Sequence, residues 1–365
     1  MVGAISRSQC ENSGSVRPLP GLQSSVAVHA PAYRRSLYRR HQIPAAVAVV
    51  TYHAPRLYIG PMLSVTFLGT SAARPTIERN VSALALQRDG ETLLFECGEG
   101  TQRQMMRFGV SFALSDIFFT HFHADHFLGV IGLIRTLGLQ GREEPMRLYG
   151  PRGAKKVLGQ AISLGVERVP FEVSIEETKP GSAVSRDGYE VRVFATEHGG
   201  GSVGYAIMEQ ERSGRFDPEK ARAAGVPEGP LWGQLQRGES VRLPDGRSVA
   251  PTGIVGPKRP GRLVVFTGDT RPCAAVVDAA RGADLLIHEA TFGEEEKDRA
   301  KETGHSTAKE AAQVALAAGA KRLVLSHLSA RYSISAEELV KEAREVFPET
   351  AVAKDGMEIE VPFRD

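Results

Sequence analysis

The sequence predicts a layered α/β fold running from Leu63 toward the C-terminus. Short apolar runs rich in β-branched and aromatic residues recur between Gly- or Asn-containing turns, as buried strands do. Segments of helical length alternate with them. Polar residues of the kind that bind metals stand where these short runs end: His121, His198, Asp269, His288 and His327. Strand ends on one edge of a layered α/β fold converge in space. Each residue alone would be an ordinary structural group, but their shared position points to a single site.

The elements follow in order. Residues 63–70, 82–87 and 92–97 read as strands, and 102–108 as a short helix. A strand at 117–120 runs into His121-Phe122-His123-Ala124-Asp125-His126, after which 127–139 and 152–164 read as helices. The strongly alternating segment 189–197 is a strand ending at His198, and 202–208 is another. Residues 213–261 are Gly- and Pro-rich, with one short helix suggested at 217–224. Strand character resumes at 263–267, before Gly268-Asp269-Thr270, and again at 283–288, before Glu289. An Ala-rich helix at 307–318, a strand at 322–326 ending at His327, a helix at 336–346 and a strand near 357–361 complete the chain.

Composition narrows the possibilities. With 365 residues, 42% hydrophobic and 24% charged, the chain can bury a large core. A net charge of +2 does not mark a nucleic-acid binder by bulk charge, although local patches matter more than totals. Cys10, Cys97 and Cys273 are far apart and form no CxxC pair, which argues against a disulfide framework and suits a reducing compartment. No apolar run is long enough to span a bilayer. Residues 1–61 carry seven arginines, no lysine and one acid, Glu11. They read as a transit-type presequence, a disordered basic tail, or translated leader upstream of a true start at Met62. The last is preferred because strand pattern begins at once with Leu63. The expected organisation is therefore a basic extension over 1–61 and a catalytic domain over 62–365.

The hexapeptide at 121–126 is the sharpest chemical signal. Three of the chain's ten histidines and a carboxylate fall in six positions between a strand and a helix. Four such groups in an apolar setting are costly unless something neutralises and orients them, and a metal does both. His121 and His123 are two apart and can clamp one ion. Asp125 and His126 are adjacent and diverge, which suits a second. Nitrogen and oxygen donors without thiolate favour zinc, with manganese as the other option.

Together these segments resemble the metallo-β-lactamase superfamily, through His-x-His-x-Asp-His followed by His198, Asp269 and His327, each after a strand. Within it they resemble the ribonuclease Z (tRNA 3′-endonuclease) family. The narrower likeness rests on Phe67-Leu68-Gly69-Thr70-Ser71 with Arg79-Asn80-Val81-Ser82, Cys97-Gly98-Glu99-Gly100-Thr101-Gln102, and His288-Glu289-Ala290-Thr291. It rests also on Gly304-His305-Ser306-Thr307-Ala308, Ser326-His327-Leu328-Ser329-Ala330-Arg331-Tyr332, and the insert from Phe216 to Gly233. Glu96 departs from the Asp that many superfamily members carry there.

The resemblance implies a four-layer αββα metallo-β-lactamase sandwich with a protruding flexible arm, residues 206–245, that grips tRNA. The arm's basic residues are matched by its acids, so shape and particular arginines would have to do the gripping. The resemblance also implies two Zn2+ per subunit. One would take His121, His123, His198 and Asp269; the other Asp125, His126, His327 and the same Asp269. Asp125 would hold the water that attacks the phosphodiester, and His305, oriented by Glu289, would protonate the leaving 3′-oxygen of precursor tRNA. His305 has a plainer reading as a helix-entry residue, with Ser306 or Thr307 as cap. His288 is left out of the metal set. A cytoplasmic homodimer without membrane attachment is implied as well. Two rivals share the motif: another hydrolase of this fold acting on a small substrate, and a metal-stabilised RNA-binding protein without catalysis.

Overall fold

The structure, a computed structural model, describes residues 62–166 and 168–364; the expectations for residues 1–61 lie outside them. The described chain begins with β1 (Leu63–Gly69), β2 (Ala83–Arg88) and β3 (Glu91–Phe95), paired antiparallel in sequence order. Helix α1 (Thr101–Phe108) returns the chain to β4 (Leu114–Phe118), parallel to β3. Helices α2 (Ala124–Phe127) and α3 (Val130–Leu139) lead to β5 (Met146–Gly150). Helix α4 (Ala154–Ile162) then leads to β6 (Val173–Glu177), and both strands extend the sheet in parallel.

A second sheet opens with an antiparallel meander, β7 (Ala183–Arg186), β8 (Tyr189–Ala195) and β9 (Val203–Glu209). The chain then leaves the sheet. It forms α5 (Pro218–Ala223), α6 (Pro230–Gln236) and the small hairpin β10 (Val241–Arg242) and β11 (Ser248–Val249). It returns as β12 (Leu263–Phe266), antiparallel to β9. The rest is α7 (Ala274–Ala279), β13 (Leu285–Glu289), α8 (Lys297–Thr303), α9 (Ala308–Ala318), β14 (Leu323–Ser326), α10 (Glu337–Arg344) and β15 (Thr350–Val352). The strands β12 to β15 are mutually parallel neighbours. Finally β16 (Glu358–Glu360) crosses back to β1, so each sheet has seven strands.

Alternation along the strands assigns the layers. Val65, Phe67, Leu84, Leu86, Leu93 and Phe95 face Val191, Val193, Tyr205, Ile207, Val264 and Ile287 in the core between the sheets. The opposite faces carry a second set: Leu68, Leu94 and Ile117 pack under α3 and α4, through Leu133, Ile134 and Leu158. Val265, Leu286 and Leu325 pack under α9 and α10, through Ala311, Ala315 and Leu339. This is the αββα sandwich the sequence suggested.

The differences from expectation are local. The helix read as continuous over 127–139 is broken: α2 ends at Phe127 and α3 starts at Val130. Gly129 fills the break, its N–H donating to the Cys97 carbonyl at 2.8 Å. A Cβ there would lie 2.0 Å from the Gly98 carbonyl oxygen, so only glycine permits this approach. Strands β5, β6, β7 and β15 and helices α7 and α8 are additional. They are three to seven residues long, too short for a period to declare itself. The segment that leaves the second sheet is not structureless. Arg212 and Arg259 bridge its two ends, and Ala221, Val226, Leu235, Val241, Leu243 and Ile254 form its own small core. No helix among the described residues is long and apolar enough to cross a membrane.

Where β9 meets β12, the Glu209 carboxylate takes two hydrogen bonds from the Arg262 guanidinium, each 2.7 Å, and one from Arg88 at 2.9 Å. Arg262 is 2% exposed. Burial opposes ionisation of Glu209, but Arg262 and then Arg88 outweigh it and hold its pKa below the usual carboxylate value. Arg262→Met should cost up to about 3–5 kcal/mol at neutral pH, because it leaves the buried Glu209 carboxylate with Arg88 as its one remaining cation. A depressed folded-state pKa stabilises above the unfolded value, about 4.3. The unfolded chains titrate alike at Glu209, so the gap between the two proteins should be full above the variant's folded-state pKa and close as pH falls to the lower wild-type one. Urea denaturation across pH would measure it.

Candidate metal centre

Both sheets end their strands at one edge, and there the expected residues meet. His121 and His123 come from the loop after β4, and Asp125 and His126 from the short helix α2 that follows it. His198 follows β8, Asp269 follows β12, Glu289 ends β13 and His327 follows β14. His305 enters from the loop between α8 and α9.

One group consists of His121, His123, His198 and Asp269, and a second of Asp125, His126 and His327. Within each, the ligand-type atoms all lie within 4.8 Å of one another. The His123 Nδ1 is 3.0 Å from His121 Nε2 and 3.2 Å from His198 Nε2. Asp269 Oδ2 is 3.6 Å from His121 Nε2, 3.6 Å from His198 Nε2 and 3.4 Å from His126 Nε2. His327 Nε2 lies 3.3 Å from Asp125 Oδ2 and 3.3 Å from His126 Nε2. Asp269 therefore stands between the groups, with its Oδ1 lacking any hydrogen-bond partner although buried.

The outward-facing atoms of these histidines determine what the inward-facing ones can do. His121 Nδ1 lies 3.0 Å from the Thr120 hydroxyl, which donates to Glu96. His198 Nδ1 lies 2.8 Å from the Gly304 carbonyl, and His327 Nδ1 lies 3.0 Å from the Thr291 hydroxyl, which donates to Glu289 at 2.8 Å. These partners call for a proton on each Nδ1, an assignment from the bonding pattern. Each Nε2 is left as a lone pair pointing inward, the arrangement found around bound metals. Lone pairs this close repel unless a cation lies among them. Three buried carboxylates, Glu96, Asp269 and Glu289, are each 0–2% exposed, and Asp125 is 9% exposed. The residues thus fit metal ions.

Electrostatics divide the imidazoles, keeping His121 and His123 neutral and drawing a proton to His126 in the absence of an ion. Burial lowers the His121 pKa well below its ordinary value, and neighbouring imidazoles, His126 foremost, add to this. Burial lowers His123 too. Burial also opposes protonation of His126, but Asp269 and Glu96 outweigh it and raise its pKa. For Asp125 and Asp269 burial favours the neutral acid, yet facing imidazoles reverse this and keep both ionised.

His305 and Glu289 form a separate pair, Nδ1 to Oε1 2.8 Å. Burial lowers the imidazole pKa, but the Glu289 charge and hydrogen bond overcome it and lift it to about 9. The helix cap is Thr307, in a reciprocal capping box with Glu310, so His305 is left to face the site. His288 is fully buried, its Nδ1 bonded to the Glu289 carbonyl at 2.7 Å, and belongs to neither metal group.

The sequence did not reveal Thr120, Thr291, the Gly304 carbonyl or the Ala73 N–H, which donates to Asp125 Oδ2 at 2.7 Å. Their roles depend on contacts distant in the chain. Glu96 and His327 adopt left-handed backbone, φ 61° and 55°, conformations that cost energy and cluster at functional sites. Gly268 (φ 60°) sets Asp269 in place; a Cβ there would come 2.6 Å from the Thr120 side chain.

Residues 239–328 match the family described as beta-lactamase superfamily domain, and residues 63–212 match the one described as anti-Pycsar protein Apyc1. The ribonuclease Z of Gemmatimonas aurantiaca is 60% identical over 305 residues, 83% of this chain and 97% of the relative. That of Myxococcus xanthus is 54% identical over 83% of this chain and 99% of its own length. Among solved structures, the short form of human tRNase Z matches with a TM-score of 0.59 and 30% identity, over 82% of this chain and all of its own. Fold and site define a metal-dependent hydrolase with the metallo-β-lactamase architecture. The chain belongs to the ribonuclease Z family.

Glu96 accepts from the Thr120 N–H at 3.1 Å and from its hydroxyl, and lies 3.3 Å from His126 Nδ1. Glu96→Ala should weaken metal binding by about 10–100-fold, the usual cost of losing a group that orients ligands. Chelator competition would measure this, with circular dichroism confirming the fold. Unchanged affinity would show that Glu96 does not orient the histidines.

Proposed function

We propose that this protein is an endoribonuclease that removes the 3′ trailer from precursor tRNA and leaves a 3′-hydroxyl on the tRNA. The observation that carries the reading is the 60% identity to a ribonuclease Z along nearly its whole length. In this reading His121, His123, His198 and Asp269 hold one zinc ion. Asp125, His126 and His327 hold a second, with Asp269 shared. When bound, the two ions activate water near neutral pH and offset charge on the phosphoryl oxygens.

The chain's own groups do the rest. Asp125, kept ionised, orients the attacking water and accepts its proton. His305, with its pKa at about 9, is protonated at neutral pH and can donate to the departing 3′-oxygen. Glu289 holds that imidazole in position and stabilises its charged form. With its side chain 14% exposed, His305 can recover a proton from solvent. Arg74, Arg299 and Arg331 line the same cleft as Asp125 and His305, where a polyanion would pass.

The arm is read as the tRNA-body contact. The Phe216 and Trp232 rings lie tilted to one another, centroids 5.1 Å apart, beside a groove that also carries Arg212, Arg215, Arg237 and Arg259. Several arm cations are paired with acids, Arg222 with Glu219 and Glu228 and Arg237 with Glu239. Recognition by shape therefore suits it better than bulk charge. The reading extends to a cytoplasmic homodimer in which one subunit's arm serves the other's site.

A 3′-extended precursor tRNA should be cut at the trailer junction, lose cleavage on chelation and regain it with zinc, with product ends mapped by sequencing. Hydrolysis of a small phosphodiester without precursor cleavage would move the function to another hydrolase of this fold. Removing 213–258 and joining Arg212 to Arg259 through a short Gly-Ser link should abolish precursor cleavage and spare a small phosphodiester. Retention of both activities would remove the arm from the mechanism.

A further inference from the structure

One wall of the cleft is formed by a loop, residues 71–80, of which the mechanism above uses only the Arg74 side chain. Its Ala73 is exposed and holds a left-handed backbone at φ 59°. In that conformation its N–H donates to Asp125 Oδ2 at 2.7 Å. The same oxygen lies 3.3 Å from His327 Nε2 and 3.5 Å from His126 Nε2. The N–H therefore fixes the carboxylate at the oxygen that faces both imidazoles. Non-glycine residues take this conformation only where surrounding contacts over-determine it.

Those contacts are present, and they lead to one side chain. Asp355, in the turn before β16, accepts from the Thr70 hydroxyl at 2.8 Å with one oxygen and from the Asn80 N–H at 2.6 Å with the other. These are the residues at the loop's two ends. Gln104 of α1 adds a bond to the same carboxylate at 2.7 Å. The Arg79 guanidinium reinforces the closure, donating at 2.7 Å to both Thr70 Oγ1 and the Ala353 carbonyl. Ala72 N–H to the Leu328 carbonyl, 2.9 Å, ties the loop to the segment just after His327.

We propose that residues 71–80 form a backbone clamp that sets the orientation of the Asp125 carboxylate, and that Asp355 is the positioning residue that locks this clamp. The proposal rests on the reading of Asp125 as metal ligand and water-orienting group. It adds a group more than 200 positions away in the chain that acts on the reaction without touching substrate or metal.

The test uses the full chain, freed of metal and loaded with cobalt(II), whose visible absorption reports ligand geometry. Ala73 is replaced by L-lactic acid, which turns one amide into an ester and removes only the N–H. Asp355→Asn weakens the lock, and Lys354→Ala, exposed next to it, serves as control. The ester and Asp355→Asn should both shift the cobalt bands and lower kcat on precursor tRNA by about tenfold or more, as small misplacements of a catalytic group do. KM should change little, and the control should match wild type. An ester variant with wild-type bands and kcat overturns the clamp. Asp355→Asn with a lower melting temperature but unchanged bands and kcat makes Asp355 merely structural and overturns its role. Failure of the wild-type protein to cleave the precursor overturns the proposed function alone, because the cobalt bands still decide the clamp.

Discussion

Everything at the site depends on how buried negative charge is neutralised. Glu96, Asp269 and Glu289 are almost inaccessible to water, and Asp125 nearly so. Isolated carboxylates in such a setting would take up protons. Here imidazoles and hydrogen-bond donors surround them and hold Asp125, Asp269 and Glu289 below the usual carboxylate range, while burial still raises Glu96; His126 and His305 are pushed toward the charged form in response. The remaining imidazoles are held with lone pairs turned inward by Thr120, Gly304 and Thr291. The cluster is incomplete as a set of hydrogen bonds, and its free atoms are of the kind that hold metal ions.

The sandwich makes that cluster affordable. Two sheets packed through apolar faces bring strand ends from distant parts of the chain to one edge, where the histidines after β4, β8 and β14 can meet. The layers outside supply rigidity. Gly129 locks the turn after the histidine loop against Gly98, and α9 is capped by Thr307 and Glu310 just beyond His305. Of the four non-glycine residues with left-handed backbone among the described residues, Ala73, Glu96 and His327 lie at or beside the site and Asp89 in the turn between β2 and β3.

The arm is a different kind of element. It shares no core with the sandwich among the contacts that build it, and it has an apolar cluster of its own around Leu235 and Val241. Its start and end are joined at Arg212 and Arg259, so it can differ in length or sequence without disturbing β9 or β12. Loops of this type carry recognition because the scaffold that positions them does not depend on their sequence.

The amino-acid order by itself determined the alternating architecture and which residues gather at the site. Period-two strands and the compact His-x-His-x-Asp-His spacing are local properties, and His198, Asp269 and His327 each announce themselves at a strand end. The family resemblance, not the order alone, marked Glu96 as a departure. The short edge strands β6, β7 and β15 stayed hidden because a few residues cannot display a period. Only the tertiary structure decided which nitrogen of each histidine points inward and that Thr307 rather than Ser306 caps the helix after His305. It alone decided that Ala73 and Asp355 bear on Asp125. Those outcomes depend on hydrogen bonds between residues tens to hundreds of positions apart, and such contacts leave no pattern in the sequence.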